Sequence, residues 1–104
     1  MSAELEIQRG TTADGSATLA VTGEIDLATA PDFRRALDAA ARTHPAIEID
    51  LRGVTYLDSA GVDALFAYAT RHRIRLTIGD NRTLATVIRV SGLAQVLTIQ
   101  NGEI

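Results

Sequence analysis

The order of apolar patterns along this chain predicts an α/β domain: a mixed, mostly parallel sheet opened by a β-hairpin, with its helices on one face. Three observations carry that expectation. Two-residue alternation and helical periodicity replace one another in succession through most of the chain. Near the amino end, two alternating runs flank Ala13-Asp14-Gly15, a turn signal that joins antiparallel strands. The later strands alternate apolar and polar residues rather than running continuously apolar, so one sheet face should be covered and the other should meet water.

The first two elements are the strands "LEIQR" and "SATLAVTG". Thr29 then caps a helix with Pro31 in its first turn. Phe33, Ala36, Leu37 and Ala40 fall at i, i+3, i+4 and i+7 and give that helix one apolar face, and "THP" closes it. "AIEIDLR" is the next strand, with Ile47, Ile49 and Leu51 on one side. A short loop leads from it to a helix whose Val62, Leu65, Phe66 and Ala69 share a face. "IRLTIG" alternates again through Ile74, Leu76 and Ile78, and "NRTLATVIRVSG" supplies Leu84, Val87 and Ile88 before Gly92 as a stop. A short last strand is expected from Val96 to Ile99.

At 104 residues the chain is expected to form a single domain, 1–104, with one core and no deep multi-substrate cleft. It has 46% hydrophobic and 22% charged residues, too apolar for disorder, and no window of membrane-span length. The amino terminus lacks a secretory pattern and cysteine is absent, so the cytoplasm is the expected location and no membrane partner is expected. A net charge of −3 argues against nucleic-acid binding, which needs a basic face. The one basic cluster, Arg71 to Arg75, reads as a solvated helix end.

In open α/β sheets the functional edge lies beyond the carboxyl ends of the parallel strands. Here the loops "GEIDLAT", "RGVTYLDSAG" and "GDN" should gather there, crowding Glu24, Asp26, Thr29, Asp58, Ser59, Asp80 and Asn81 onto one rim. Helix capping alone accounts for Thr29, for Asp58 or Ser59, and for Asp80 or Asn81. Tyr56 and Leu57 are either core or exposed contact residues. A hydrolytic serine is not supported, because His44 ends one helix and His72 lies at the far end of the helix that Ser59 opens. Asp26 and Asp58 lack a third metal ligand at ordered spacing, so no metal and no cofactor is expected. A phosphoaspartate receiver would need a late-strand lysine, and all ten basic Lys+Arg positions are arginine. No glycine-rich phosphate loop is present, so a nucleotide acting on this protein must come with a partner.

"VTGEIDLATAP" together with "IDLRGVTYLDSAGVDAL" resembles the STAS domain, and within it the bacterial anti-sigma-factor antagonist family; the likeness in element order spans nearly the whole chain. The resemblance implies no enzyme. It implies a regulator that binds an anti-sigma factor with serine kinase activity, is phosphorylated on the serine of the D-S-x-G turn, Ser59, and is restored by a PP2C-type phosphatase. The implied partner-binding residues are Glu24, Asp26, Thr29, Asp58, Ser59, Ala60 and Gly61. Gly61 lets a kinase approach the Ser59 hydroxyl or packs against the sheet. Ala60 stands where the best-known members have serine or threonine, and many members carry one more helix beyond Ile104. The resemblance also covers STAS subunits of lipid-transport ABC systems, which bind an ATPase without phosphorylation and commonly have threonine at this position.

Overall fold

The computed structural model describes residues 5–101. A hairpin comes first: β1 (Glu6–Thr11) and β2 (Ala17–Ile25) pair antiparallel through a turn in which Gly15 takes a left-handed φ of 90°. The chain continues through α1 (Ala30–Thr43), β3 (Ala46–Leu57), α2 (Ser59–Ala69), β4 (Arg73–Ile78), α3 (Arg82–Ser91), a 3-10 turn (Leu93–Gln95) and β5 (Thr98–Asn101). Strand order in the sheet follows chain order, β1-β2-β3-β4-β5, and every pairing after the hairpin is parallel.

Alternation explains the layering. Leu19 and Val21 of β2, Ile47, Ile49 and Leu51 of β3, and Ile74, Leu76 and Ile78 of β4 are buried against Phe33, Ala36 and Leu37 of α1, Val62, Ala64 and Leu65 of α2, and Leu84 and Ile88 of α3. Their strand neighbours Thr18, Glu48, Asp50, Arg75 and Thr77 stay partly or fully exposed on the other face, which no helix among the described residues covers. On that face Arg52 grips Asp50 with two hydrogen bonds, at 2.9 and 2.7 Å. These bonds hold the Asp50 carboxyl below its ordinary pKa and push the guanidinium up.

Two expectations need correction here. "GEI" and "RGVTYL" are not loops: β2 runs to Ile25 and β3 to Leu57. Opposite β2, β3 carries two extra residues, one between the Ala20–Asp50 and Thr22–Gly53 pairs and one between Gly23–Val54 and Glu24–Tyr56. Those bulges change the buried spacing to Leu51, Val54, Leu57, every third residue, which hides the strand from a two-residue pattern. The last strand starts later than expected, at Thr98, because Leu93–Gln95 winds into a 3-10 turn after Gly92 ends α3 at φ 84°.

Candidate functional site

The two segments singled out by motif meet at the carboxyl ends of β2 and β3. Parallel register sets Glu24 opposite Tyr56 and Ile25 opposite Leu57, and the Asp58 amide donates to Ile25 O at 3.1 Å. Asp26 and Asp58 therefore follow directly from neighbouring strand ends.

Asp58 has extended backbone, φ −108°, and its carboxylate accepts from the Ala60 amide at 2.9 Å, which starts α2. It is therefore the cap, and Ser59 is the first helical residue. Ser59 is exposed, and its hydroxyl makes no hydrogen bond among the described residues. Ala60 is half-buried, while Gly61 is buried beneath them: a Cβ there would lie 2.4 Å from Leu57 Cδ1 and 2.6 Å from Ile25 Cγ2. Of the two roles open to Gly61, the geometry supplies the packed one.

Thr29 departs from expectation. It precedes α1 but has helical backbone, and its side chain caps nothing. The hydroxyl instead turns back, donating to Glu24 O at 2.7 Å and accepting from the Asp26 amide at 2.9 Å, while Asp26 Oδ1 accepts from the Thr29 amide at 2.9 Å. The Ala30 amide closes onto Asp26 O at 2.7 Å. Residues 26–29 form a turn pinned at both ends, with Leu27 at 80% exposure between them. Nothing in the motif marked Leu27; a large apolar side chain between Asp26 and a helix start was the available signal.

The third loop also reaches this rim. Asn81 caps α3 by accepting from the Leu84 amide at 3.1 Å, and its amide group lies 3.4 Å from Thr55 O and 3.5 Å from Val54 O. Asp80 is exposed and makes no such tie. Tyr56 is exposed at 47% and Leu57 is buried, which resolves the choice left open for that pair. The rim thus gathers the acids Glu24, Asp26, Asp58 and Asp80 around the unengaged Ser59 hydroxyl. His44 follows the end of α1 and His72 lies beyond α2, stacked on Tyr68, so neither approaches Ser59 as a base. Among the described residues no group of three or more His, Cys, Asp or Glu gathers as a metal site, and no helix is long and apolar enough to cross a membrane.

The structure is thus a five-stranded, mostly parallel α/β sheet that carries an exposed serine at a strand-to-helix junction. The family model described as "Mlab, STAS domain" matches residues 10–99, and this chain belongs to the STAS domain family. The anti-sigma-B factor antagonist of Listeria monocytogenes is 32% identical over 88 residues, covering 80% of this chain and 77% of its own. A crystal structure of an anti-sigma factor antagonist from Mycobacterium paratuberculosis superposes with TM-score 0.82 at 28% identity, covering 95% of this chain and 89% of that one. The antagonist SpoIIAA, solved unphosphorylated (TM-score 0.72, covering 91% and 88%) and, from Bacillus, phosphorylated (0.65, 91% of each), shares the fold at 19% identity.

Proposed function

We propose that this chain is an anti-sigma factor antagonist: it binds an anti-sigma factor with serine kinase activity, frees the sigma factor, and is released when Ser59 is phosphorylated. The observation that carries this reading is the exposed, unengaged Ser59 hydroxyl on the first residue of α2, beside an Asp58 fastened to the GEID segment. The names of the relatives support the antagonist class, and the phosphorylated form of SpoIIAA supports modification within the same fold.

In the transfer, Ser59 Oγ bonds to the γ-phosphorus of an ATP held by the partner, the bond to the bridging oxygen breaks, ADP leaves, and the hydroxyl proton passes to a base of the partner's kinase site. The amino end of α2 carries partial positive charge and accommodates the new phosphate without refolding. Outward, the group adds about −1.5 to −2 charge to a rim already acidic. A partner surface fitted to a neutral hydroxyl then meets a desolvated anion, and the complex dissociates. Glu24, Asp26, Thr29, Asp58, Ser59 and Ala60 form the docking patch, with Gly61 as its floor. A PP2C-type phosphatase restores the hydroxyl by hydrolysis.

The test uses intact mass after incubation with ATP and the purified serine-kinase anti-sigma factor, followed by competition against the sigma factor. Wild type should gain one phosphoryl group and Ser59→Ala none. Ser59→Ala should displace the sigma factor and resist release, and Ser59→Asp should displace poorly. Equal displacement by all three, with no phosphoryl gain, would refute the switch and favour docking to an ABC ATPase without phosphorylation.

A further inference from the structure

We propose that Leu27 is the apolar anchor of this interface, entering an apolar socket flanked by basic groups on the anti-sigma kinase, beside its active site; the inference rests on the Ser59 reading above. Among the described residues the exposed large apolar side chains are Leu27, Tyr56, Val90 and Val96. Scattered exposed apolar residues are ordinary on any protein surface. Leu27, the most exposed of them, differs from Val90 and Val96 in three respects.

Its exposure is built into the fold. Four hydrogen bonds, from Thr29 Oγ1 to Glu24 O, from the Asp26 amide to Thr29 Oγ1, from the Thr29 amide to Asp26 Oδ1 and from the Ala30 amide to Asp26 O, close the turn beneath it. A turn ordered on folding has little conformational freedom left to lose on docking. Its position is the second respect. Leu27 stands two residues after Ile25, whose carbonyl holds the Asp58 amide, and Ser59 stands one residue after Asp58. An anchor there seats the hydroxyl before phosphate transfer. The third is chemical setting: Asp26 precedes the leucine in the chain and Asp58 follows the adjacent strand end on the same rim, so the surface that receives it must combine an apolar centre with cationic edges. At 80% exposure the side chain contributes little to the core, so the fold does not account for an apolar residue here.

The experiment measures the dissociation constant of the purified complex with the anti-sigma kinase, and KM and kcat for Ser59 phosphorylation. The variants are Leu27→Ala, Leu27→Met, Val90→Ala and Ser59→Asp, with thermal melts for each. Leu27→Ala should melt like wild type, bind about ten-fold more weakly and raise KM without changing kcat. Leu27→Met should retain most of the affinity, and Val90→Ala all of it. Unchanged binding by Leu27→Ala alongside impaired binding by Ser59→Asp overturns the anchor and leaves the Ser59 reading intact. Wild-type binding by Ser59→Asp overturns that reading and the anchor with it.

Discussion

Gly61→Ala puts a methyl group where the fold has left no room, at the floor of the Ser59 rim. The new Cβ would stand 2.4 Å from Leu57 Cδ1 and 2.6 Å from Ile25 Cγ2, well inside the carbon contact distance of about 3.5–4.0 Å. Two effects oppose each other. Alanine is the better helix former by up to about 1 kcal/mol, whereas overpacking a core costs about 1–3 kcal/mol. The balance depends on which neighbour yields. Leu57 Cδ1 ends a flexible side chain and can rotate away. Ile25 Cγ2 is fixed to the β-carbon of a stiff, β-branched residue at 0% exposure, so relief there must move the end of β2. The steric cost wins, and the variant should lose about 1–2 kcal/mol in urea denaturation, a drop of about 5–15 °C in Tm. Because Ile25 O receives the Asp58 amide, the same displacement should weaken partner binding. A raised urea midpoint, or an equal loss when the substitution is made on an Ile25→Ala background, would refute the argument.

Thr29→Val removes a hydroxyl that makes two part-buried hydrogen bonds and should cost about 1–3 kcal/mol, with faster amide exchange at Asp26; Thr29→Ser should retain most of the stability. Asp58→Ala should lose a cap worth about 0.5–2 kcal/mol yet stay folded by circular dichroism, while Ser59 phosphorylation falls more steeply than stability. Arg52 lowers the Asp50 pKa, so the ion pair should contribute fully above the ordinary carboxylate value, about pH 4, and lose its contribution as pH falls through the depressed folded value. Urea midpoints of wild type and Asp50→Asn should accordingly differ by a constant amount from neutral pH down to about 5, and converge below about 4.

The strands and helices that alternate cleanly were legible in the sequence because burial on one face imposes a fixed period: Ile47, Ile49 and Leu51 on β3, and Phe33, Ala36, Leu37 and Ala40 on α1. Legibility stopped at the bulges of β3, where two extra residues turn a period of two into three and make strand look like loop. The rim itself followed from topology, since parallel strands deliver their carboxyl ends to one edge. The division of labour on it did not. A threonine before a helix reads as a cap in any sequence, and only the backbone shows its hydroxyl directed back to Glu24 O. Likewise D-S-A-G does not reveal which of the first two residues caps the helix and which keeps a free side chain. An Asp58 φ of −108°, with its carboxylate accepting from the Ala60 amide, decides it.

That the strands lie in the sheet in the order in which they occur in the chain has a kinetic consequence. Each strand pairs with the one before it, so no segment must wait for a distant one, and loop closure never spans more than a single crossover. A chain emerging amino end first can lay down the hairpin, dock β3 on β2 and bond the Asp58 amide to Ile25 O before β5 exists. The last piece added is also the most weakly held: β5 is four residues on an edge, bonded to β4 alone. Under native-state hydrogen exchange β5 should open first, while the Asp58 amide, held by Ile25 where β3 joins β2, exchanges among the slowest.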